Sequence, residues 1–299
     1  MAVTHQPDEV TVGELIGEVH RRFDNAPLSY GHGTDNAWDE AVYLVLSVTG
    51  ATDDESSLSL AVEPDDQQRI QILATRRIEE RAPLAHLLGE CYFMGQRFLV
   101  APGVMIPRSP IGYLLGEPLE EWVAPTITRI VDLCAGVGCL GILAAQRYPL
   151  AQVTMVELDE QAATLARKNV VLHNLQDRIS VVQADACQWL AEQVDQWDLI
   201  LTNPPYVDAA DLQTLPQEYR HEPELGLAAG PDGLSLVDEF LPQVPQRLTA
   251  SGMFLCEVGA SAPAMQRKYP DLPIHWLELP EGGEGVFMID AVSLKPCQV

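Results

Sequence analysis

Asp132-Leu133-Cys134-Ala135-Gly136-Val137-Gly138-Cys139-Leu140-Gly141 follows directly on the apolar start of a strand at Arg129-Ile130-Val131. Glycines at such a point let the backbone pass close to a ligand and turn sharply into a helix. Residues 136–141 fit the Gly-x-Gly-x-x-Gly pattern of nucleotide-binding βαβ units, a match that by itself names no ligand. The pattern does set the fold class, because of what lies on either side.

Downstream, strand-like and helix-like stretches alternate, which predicts an α/β domain with a parallel sheet covered on both faces. Strands are expected over 129–134, 152–157, 179–184, 198–202 and 253–258, and helices over 140–148, 160–174, 234–248 and 262–269. Residues 274–279 and 285–291, divided by Pro280-Glu281-Gly282-Gly283-Glu284, read as a closing hairpin at the sheet edge. Upstream, roughly the first 90 residues show helical spacing only: 10–23, with Val12, Leu15, Ile16, Val19 and Phe23 on one face; 38–48, with Asp35 or Asn36 as its cap; and 67–81. Residues 50–57 read as a polar loop, and 92–100 as two short strands about Gly95.

The strand ends then narrow the ligand. Glu157 closes the second strand, 157 − 138 = 19 residues beyond Gly138, where a carboxylate can accept from both hydroxyls of a ribose. That arrangement suits NAD or S-adenosylmethionine equally. Asp185 closes the third strand and suits an adenine amino group. The fourth strand delivers Asn203-Pro204-Pro205-Tyr206 to the same rim. Two successive prolines take the chain rigidly out of the strand. The Asn203 carboxamide oxygen and the Pro204 carbonyl can then both accept from one planar NH2 group, while Tyr206 offers a flat face to its carrier. Hydride transfer leaves such a clamp unexplained; methyl transfer from S-adenosylmethionine to an amide or base nitrogen uses it. No neighbouring residue reads as a general base, and no metal is called for.

Composition bounds the partner. The chain has 299 residues and a net charge of −25, from 43 acidic and 18 basic residues. Its only lysines are Lys168, Lys268 and Lys295. Such a surface repels phosphate backbones and favours a basic protein partner, so direct nucleic-acid binding is not expected. The six cysteines form no Cys-x-x-Cys pair, which fits reduced thiols in the cytoplasm. No run approaches the ~18 apolar residues of a membrane span, and the first residues have no signal-peptide character.

With the glycine loop, Glu157, Asp185 and the Asn-Pro-Pro-Tyr turn in order, the chain resembles the protein-glutamine N-methyltransferases over essentially its whole length. The resemblance implies a helical substrate-recognition domain over 1–90, a β-hairpin linker over 91–124, and a seven-stranded Rossmann-like class I methyltransferase domain over 125–299. It implies a cofactor set of Asp132, Cys134, Ala135, Gly136, Gly138, Glu157, Asp185 and Asn203 for S-adenosyl-L-methionine. The target glutamine falls to Asn203, Pro204, Pro205 and Tyr206, with Asn203, Pro204 and Tyr206 as the catalytic group.

Four further stretches, 30–41, Pro107-Arg108-Ser109-Pro110-Ile111-Gly112, 218–227 and 282–288, resemble the branch that methylates large-subunit ribosomal protein three. Release-factor enzymes of the family carry Pro-Arg-Pro-(Glu/Asp)-Thr-Glu in place of the second stretch. A release-factor enzyme and an adenine-N6 nucleic-acid methyltransferase are the alternatives. Ala135 and Val137 replace hydroxyl residues usual in the glycine loop, and Glu157 replaces the commoner Asp. In the flanking stretches, His32 and Trp38 either order a loop or contact substrate. Arg108 orients a bound group or pins the linker, and Arg220, His221 and Glu222 read as part of a lid.

Overall fold

The computed structural model describes residues 9–116, 126–278 and 284–294. Four helices open the chain: α1 Val12–Asp24, α2 Ala37–Thr49, α3 Pro64–Glu80 and α4 Leu84–Leu88. α1 starts where Thr11 and Glu14 form a capping box, the Thr11 Oγ1 accepting from the Glu14 amide and the Glu14 carboxylate from the Thr11 amide. Asn36, one of the two expected caps, starts α2 by accepting from the Asp39 amide at 2.9 Å. α3 begins three residues before the expected 67, because Pro64 in the first turn has no N–H to leave unsatisfied. The expected loop over 50–57 contains a 3-10 turn, Glu55–Ser59, capped by Asp54. Val19, Phe23, Leu44, Val45, Ile70 and Leu84 close this helical cluster around its own core.

A two-stranded hairpin follows, β1 Glu90–Phe93 paired antiparallel with β2 Gln96–Leu99. Its apolar side does not face solvent: Phe93, Phe98, Val100, Ile106 and Ile111 join the core on one face of the large sheet. Ile111 opens the short helix α5, Ile111–Gly116.

Strands and helices alternate through the rest, with α8 and α12 beyond the expected set: β3 Arg129–Leu133, α6 Cys139–Arg147, β4 Gln152–Glu157, α7 Glu160–Leu172, β5 Ile179–Gln183, α8 Ala186–Glu192, β6 Trp197–Thr202, α9 Ser235–Phe240, α10 Val244–Arg247, β7 Leu248–Glu257, α11 Ala262–Lys268, β8 His275–Trp276, β9 Val286–Asp290 and α12 Ala291–Leu294. Seven strands form one sheet in the order β5-β4-β3-β6-β7-β9-β8. The first five run parallel, and β9 pairs antiparallel with β7 and β8. The tail is thus the expected edge hairpin, with residues 279–283 outside the described ones. Central strands are apolar on both faces, as at Leu199, Ile200 and Leu201 of β6, because α6 and α7 cover one side and α8 to α11 the other.

Two expectations change. The helix over 234–248 is broken into α9 and α10, since Pro242 and Pro245 interrupt the amide ladder. β7 begins at Leu248 rather than 253, because Leu248 pairs with Trp197 across a bulge before the regular register resumes at Leu199 and Met253. Among the described residues, no helix is long and apolar enough to cross a membrane.

Candidate active site

Register brings the predicted residues to one rim. Leu133 pairs with Val156 on one side and Thr202 on the other, Glu157 with Gln183, and Thr202 with Cys256. The carboxyl ends therefore align, and the chain runs outward in opposite directions from β3 and β6. That topological switch point is where open α/β sheets bind ligands. The Thr202 hydroxyl ties the two strand ends together, donating to the Leu133 carbonyl at 3.0 Å.

The loop after β3 is held from beneath and open above. Asp132 is 1 % exposed, and its Oδ2 accepts from the Gly141 amide at 2.8 Å, anchoring the start of α6. Burial, with Glu157 adding to it, raises its carboxyl to about 7. It supports the loop rather than lining the rim. Cys134 and Gly136 take left-handed φ angles of 59° and 57°. A Cβ added at Gly136 would meet nothing within 4 Å, whereas one at Gly138 would stand 3.0 Å from Met155 Sδ. Gly136 thus leaves room for a ligand, and Gly138 lets α6 seat against β4.

Glu157 and Asp185 both serve the backbone as well. Glu157 accepts from the Gly136 amide through Oε2 at 2.7 Å and from the Asp159 amide through Oε1 at 2.8 Å. One lone pair per oxygen is left for a diol. Asp185 caps α8, its Oδ1 accepting from the Gln188 amide at 2.8 Å, which leaves Oδ2 for an amino group. These features fit a nucleoside: two carboxylates on adjacent strand ends beside a glycine loop with open space above it. Gly136, Glu157 and Asp185 are the residues that could hold one. Among the described residues, no group of three or more His, Cys, Asp or Glu could hold a metal.

The Asn-Pro-Pro-Tyr turn is braced at both ends by residues the sequence did not connect to it. Asn203 Nδ2 donates to the Arg108 carbonyl at 3.4 Å, so Oδ1 is the atom left to accept from a ligand. Pro204 is buried beside it. Tyr206 donates from Oη to Glu257 Oε1 at 2.9 Å. Glu257 lies at the end of β7, 3 % exposed, and its Oε2 accepts from Ser109 Oγ at 2.5 Å. Burial lifts its carboxyl to about 7 against the pull of Ser109, Tyr206 and Arg108. No spacing rule pointed to it.

The stretch expected to act as a lid is instead a pinned strap. It contains the 3-10 turn Gln217–His221 and two fully enclosed carboxylates. Glu222 receives both Nη atoms of Arg108 at 2.6 Å and the Ile106 amide at 2.9 Å, with His32 Nε2 3.5 Å away. Burial works against its ionisation, but His32 and Arg108 overcome that and bring it down to about 2. Glu218 accepts from Arg77, Arg81 and the Ser29 amide, which binds the strap to the N-terminal helices. His32 lies against Tyr219, with ring centroids 4.5 Å apart, and the Arg108 guanidinium carbon lies 5.2 Å from the centre of the same ring. Arg108 therefore pins the linker and braces Asn203 together, and only Arg220 of the charged trio is exposed.

The methyltransferase small domain family model matches residues 114–218. A ribosomal protein uL3 glutamine methyltransferase from Bordetella pertussis is 41% identical, covering 95% of this chain and 96% of that protein. One of the same name from Francisella tularensis is 36% identical, covering 87% of this chain and 83% of that one. Among solved structures, the catalytic domain of hMettl16 aligns with TM-score 0.49 and 17% identity, covering 80% of this chain and 85% of that chain. The chain belongs to the family of the ribosomal protein uL3 glutamine methyltransferases.

Proposed function

We propose that this enzyme methylates the side-chain amide nitrogen of a glutamine in ribosomal protein uL3, with S-adenosyl-L-methionine as donor. The observation that supports it best is the braced Asn203. Its NH2 is committed to the Arg108 carbonyl, which turns the remaining acceptor toward an incoming amide beside the Pro204 carbonyl. When bound, the donor supplies a methyl group on a sulfonium, an electrophile that needs no metal.

The chain's own residues have to make a poor nucleophile attack. An amide nitrogen is unreactive because its lone pair is delocalised into the carbonyl. Asn203 Oδ1 and the Pro204 carbonyl grip both N–H bonds, fix the plane of the amide, and aim what lone-pair density it has across the rim. Orientation of this kind supplies much of the barrier lowering in a displacement that lacks a covalent intermediate. Gly136, Gly138, Glu157 and Asp185 hold the nucleoside end of the donor, with Asp132, Cys134 and Ala135 shaping the loop. Pro205 and Tyr206 complete the surface met by the glutamine.

The helices over 1–90 are the proposed recognition domain, with the hairpin and the strap at 217–222 connecting them to the catalytic rim over 125–299. The charge of −25 favours a basic substrate and disfavours nucleic acid, and the site of action is the cytoplasm. Incubating the enzyme and labelled S-adenosyl-L-methionine with ribosomal proteins, release factors and DNA, followed by mass spectrometry, tests the assignment. Methyl-glutamine in uL3 is the expected product. Label confined to release factors or to adenine would overturn it.

A further inference from the structure

Glu257 is a buried carboxylate in this rim to which the clamp chemistry gives no part. Two hydroxyl groups from distant points of the chain converge on it, Tyr206 Oη at 2.9 Å and Ser109 Oγ at 2.5 Å. The other side of the tyrosine ring is closed by backbone, since a Cβ built on Gly259 would lie 2.5 Å from ring Cε2. Ser109 follows Arg108, whose carbonyl receives Asn203 Nδ2 and whose guanidinium is clasped by Glu222. Two consecutive linker residues therefore hold opposite ends of the Asn-Pro-Pro-Tyr turn, one directly and the other through Glu257.

We propose that Glu257 is a positioning residue for glutamine methylation, fixing the Tyr206 ring against Gly259 and coupling the clamp to Ser109 of the linker. This rests on the methyl-transfer reading above and names a determinant within that site. Glu257 acts through Tyr206 and does not touch the substrate. An ionised carboxylate accepts from both hydroxyls at once. A protonated one donates to one hydroxyl and accepts from the other, and both bonds lose the charge assistance of the anion. Glu257 titrates at about 7, with burial raising it and Ser109, Tyr206 and Arg108 opposing. The other ionisable group against it is the Cys256 thiol, which burial keeps protonated. Lowering the pH through neutrality thus loosens the ring, and the rate falls on the acid side.

The test measures kcat and KM on purified uL3 with labelled S-adenosyl-L-methionine, for wild type, E257Q, Y206F and the double variant, from about pH 6 to about pH 9. E257Q is expected to keep S-adenosylhomocysteine affinity, to lose about 10- to 100-fold in kcat, and to lose the acid limb of the profile. Because both side chains act as one unit, E257Q in the Y206F background should cost no more than about twofold further. A wild-type rate with an unchanged acid limb in E257Q, or losses that multiply in the double variant, would overturn the assignment. If E257Q does not fold, Ser109→Ala replaces it: one donor fewer moves the acid limb to higher pH, and an unmoved limb sinks the proposal. A wild type that leaves uL3 unlabelled would instead defeat the functional reading. The same ratios would then be taken on whichever extract protein the enzyme does label.

Discussion

Asn203 donates from its carboxamide nitrogen to the Arg108 carbonyl, and in the proposed clamp its oxygen accepts from the target amide. Replacing it by Ala removes a single oriented acceptor at the reacting nitrogen, and kcat should fall about 100- to 1000-fold. Cofactor affinity, measured by calorimetry with S-adenosylhomocysteine, should stay within about threefold of wild type, because Glu157 and Asp185 remain. Near-normal turnover in that variant would remove Asn203 from the clamp. The proposal for this residue comes from the sequence because the chemistry it invokes is contained in four consecutive positions. Glu257 was not: Cys256-Glu257-Val258 reads as an ordinary strand end. Its partners lie 148 and 51 residues away in sequence. Asp132 shows the same limit, since its burial and its bond to the Gly141 amide give it a supporting place under the loop.

Among elements, the β3 loop and α6 depend on how closely their backbone approaches β4. Gly138 has φ 88° and would bring a Cβ to 3.0 Å from Met155 Sδ and 3.3 Å from Ala166 Cβ. Gly138→Ala therefore combines backbone strain with crowding and should destabilise by about 1–3 kcal/mol in urea titrations. Asn36→Ala removes the cap of α2 without touching the rim. It should lower stability by about 1 kcal/mol and leave kcat unchanged. Long amphipathic helices such as α1 and buried strands such as β4 were readable from period alone. Five-residue α4 and four-residue α12 were missed, because one turn of helix is too short to show a period. α8 is hidden for a different reason: its cap is Asp185, a carboxylate at a strand end, and the capping bond to the Gln188 amide exists only in the folded turn.

The whole molecule is joined by buried charge. Arg77, 1 % exposed, pairs with Glu40 at 3.0 Å and with Glu218 at 3.2 Å, and Arg81 reaches the same Glu218 at 2.7 Å. Glu218→Ala leaves Arg77 under-compensated inside the junction and should cost about 3 kcal/mol or more. The kcat should fall as well, because the strap that presents Glu222 to Arg108 loosens. A variant as stable as wild type in urea would show that the junction adds little.

Protons report on the same network. Burial opposes ionisation of Glu218 and Glu222, but their basic partners hold both at about 2, below the ordinary 4.5. Their stabilisation is complete above 4.5 and is lost as the pH falls toward 2. Burial does the reverse to Asp132 and Glu257, raising them to about 7 from ordinary values of 3.8 and 4.5. The folded chain keeps protons there that the unfolded chain has released, so stability declines as the pH rises from those values through about 7. Self-repulsion at a net charge of −25 acts in the same direction. The urea midpoint should be higher near about pH 5.5 than near about pH 8. An equal or lower midpoint at the more acid pH would contradict the placement of Asp132 and Glu257.

The amino-acid sequence alone determined the alternation of the parallel strands with their longer helices, the glycine turn at 136–141, the carboxylates at strand ends and the rigid Asn-Pro-Pro-Tyr turn. Each of these is a local matter of period, backbone restriction or neighbouring side chains. Only the tertiary structure decided that Arg108 and Ser109 brace the clamp, that Glu218 and Glu222 bind a strap rather than a lid, and that Glu257 stands behind Tyr206. Those contacts join residues from 51 to 189 positions apart. Their strength comes from exclusion of water, and burial is a property of the packed chain rather than of any segment of it.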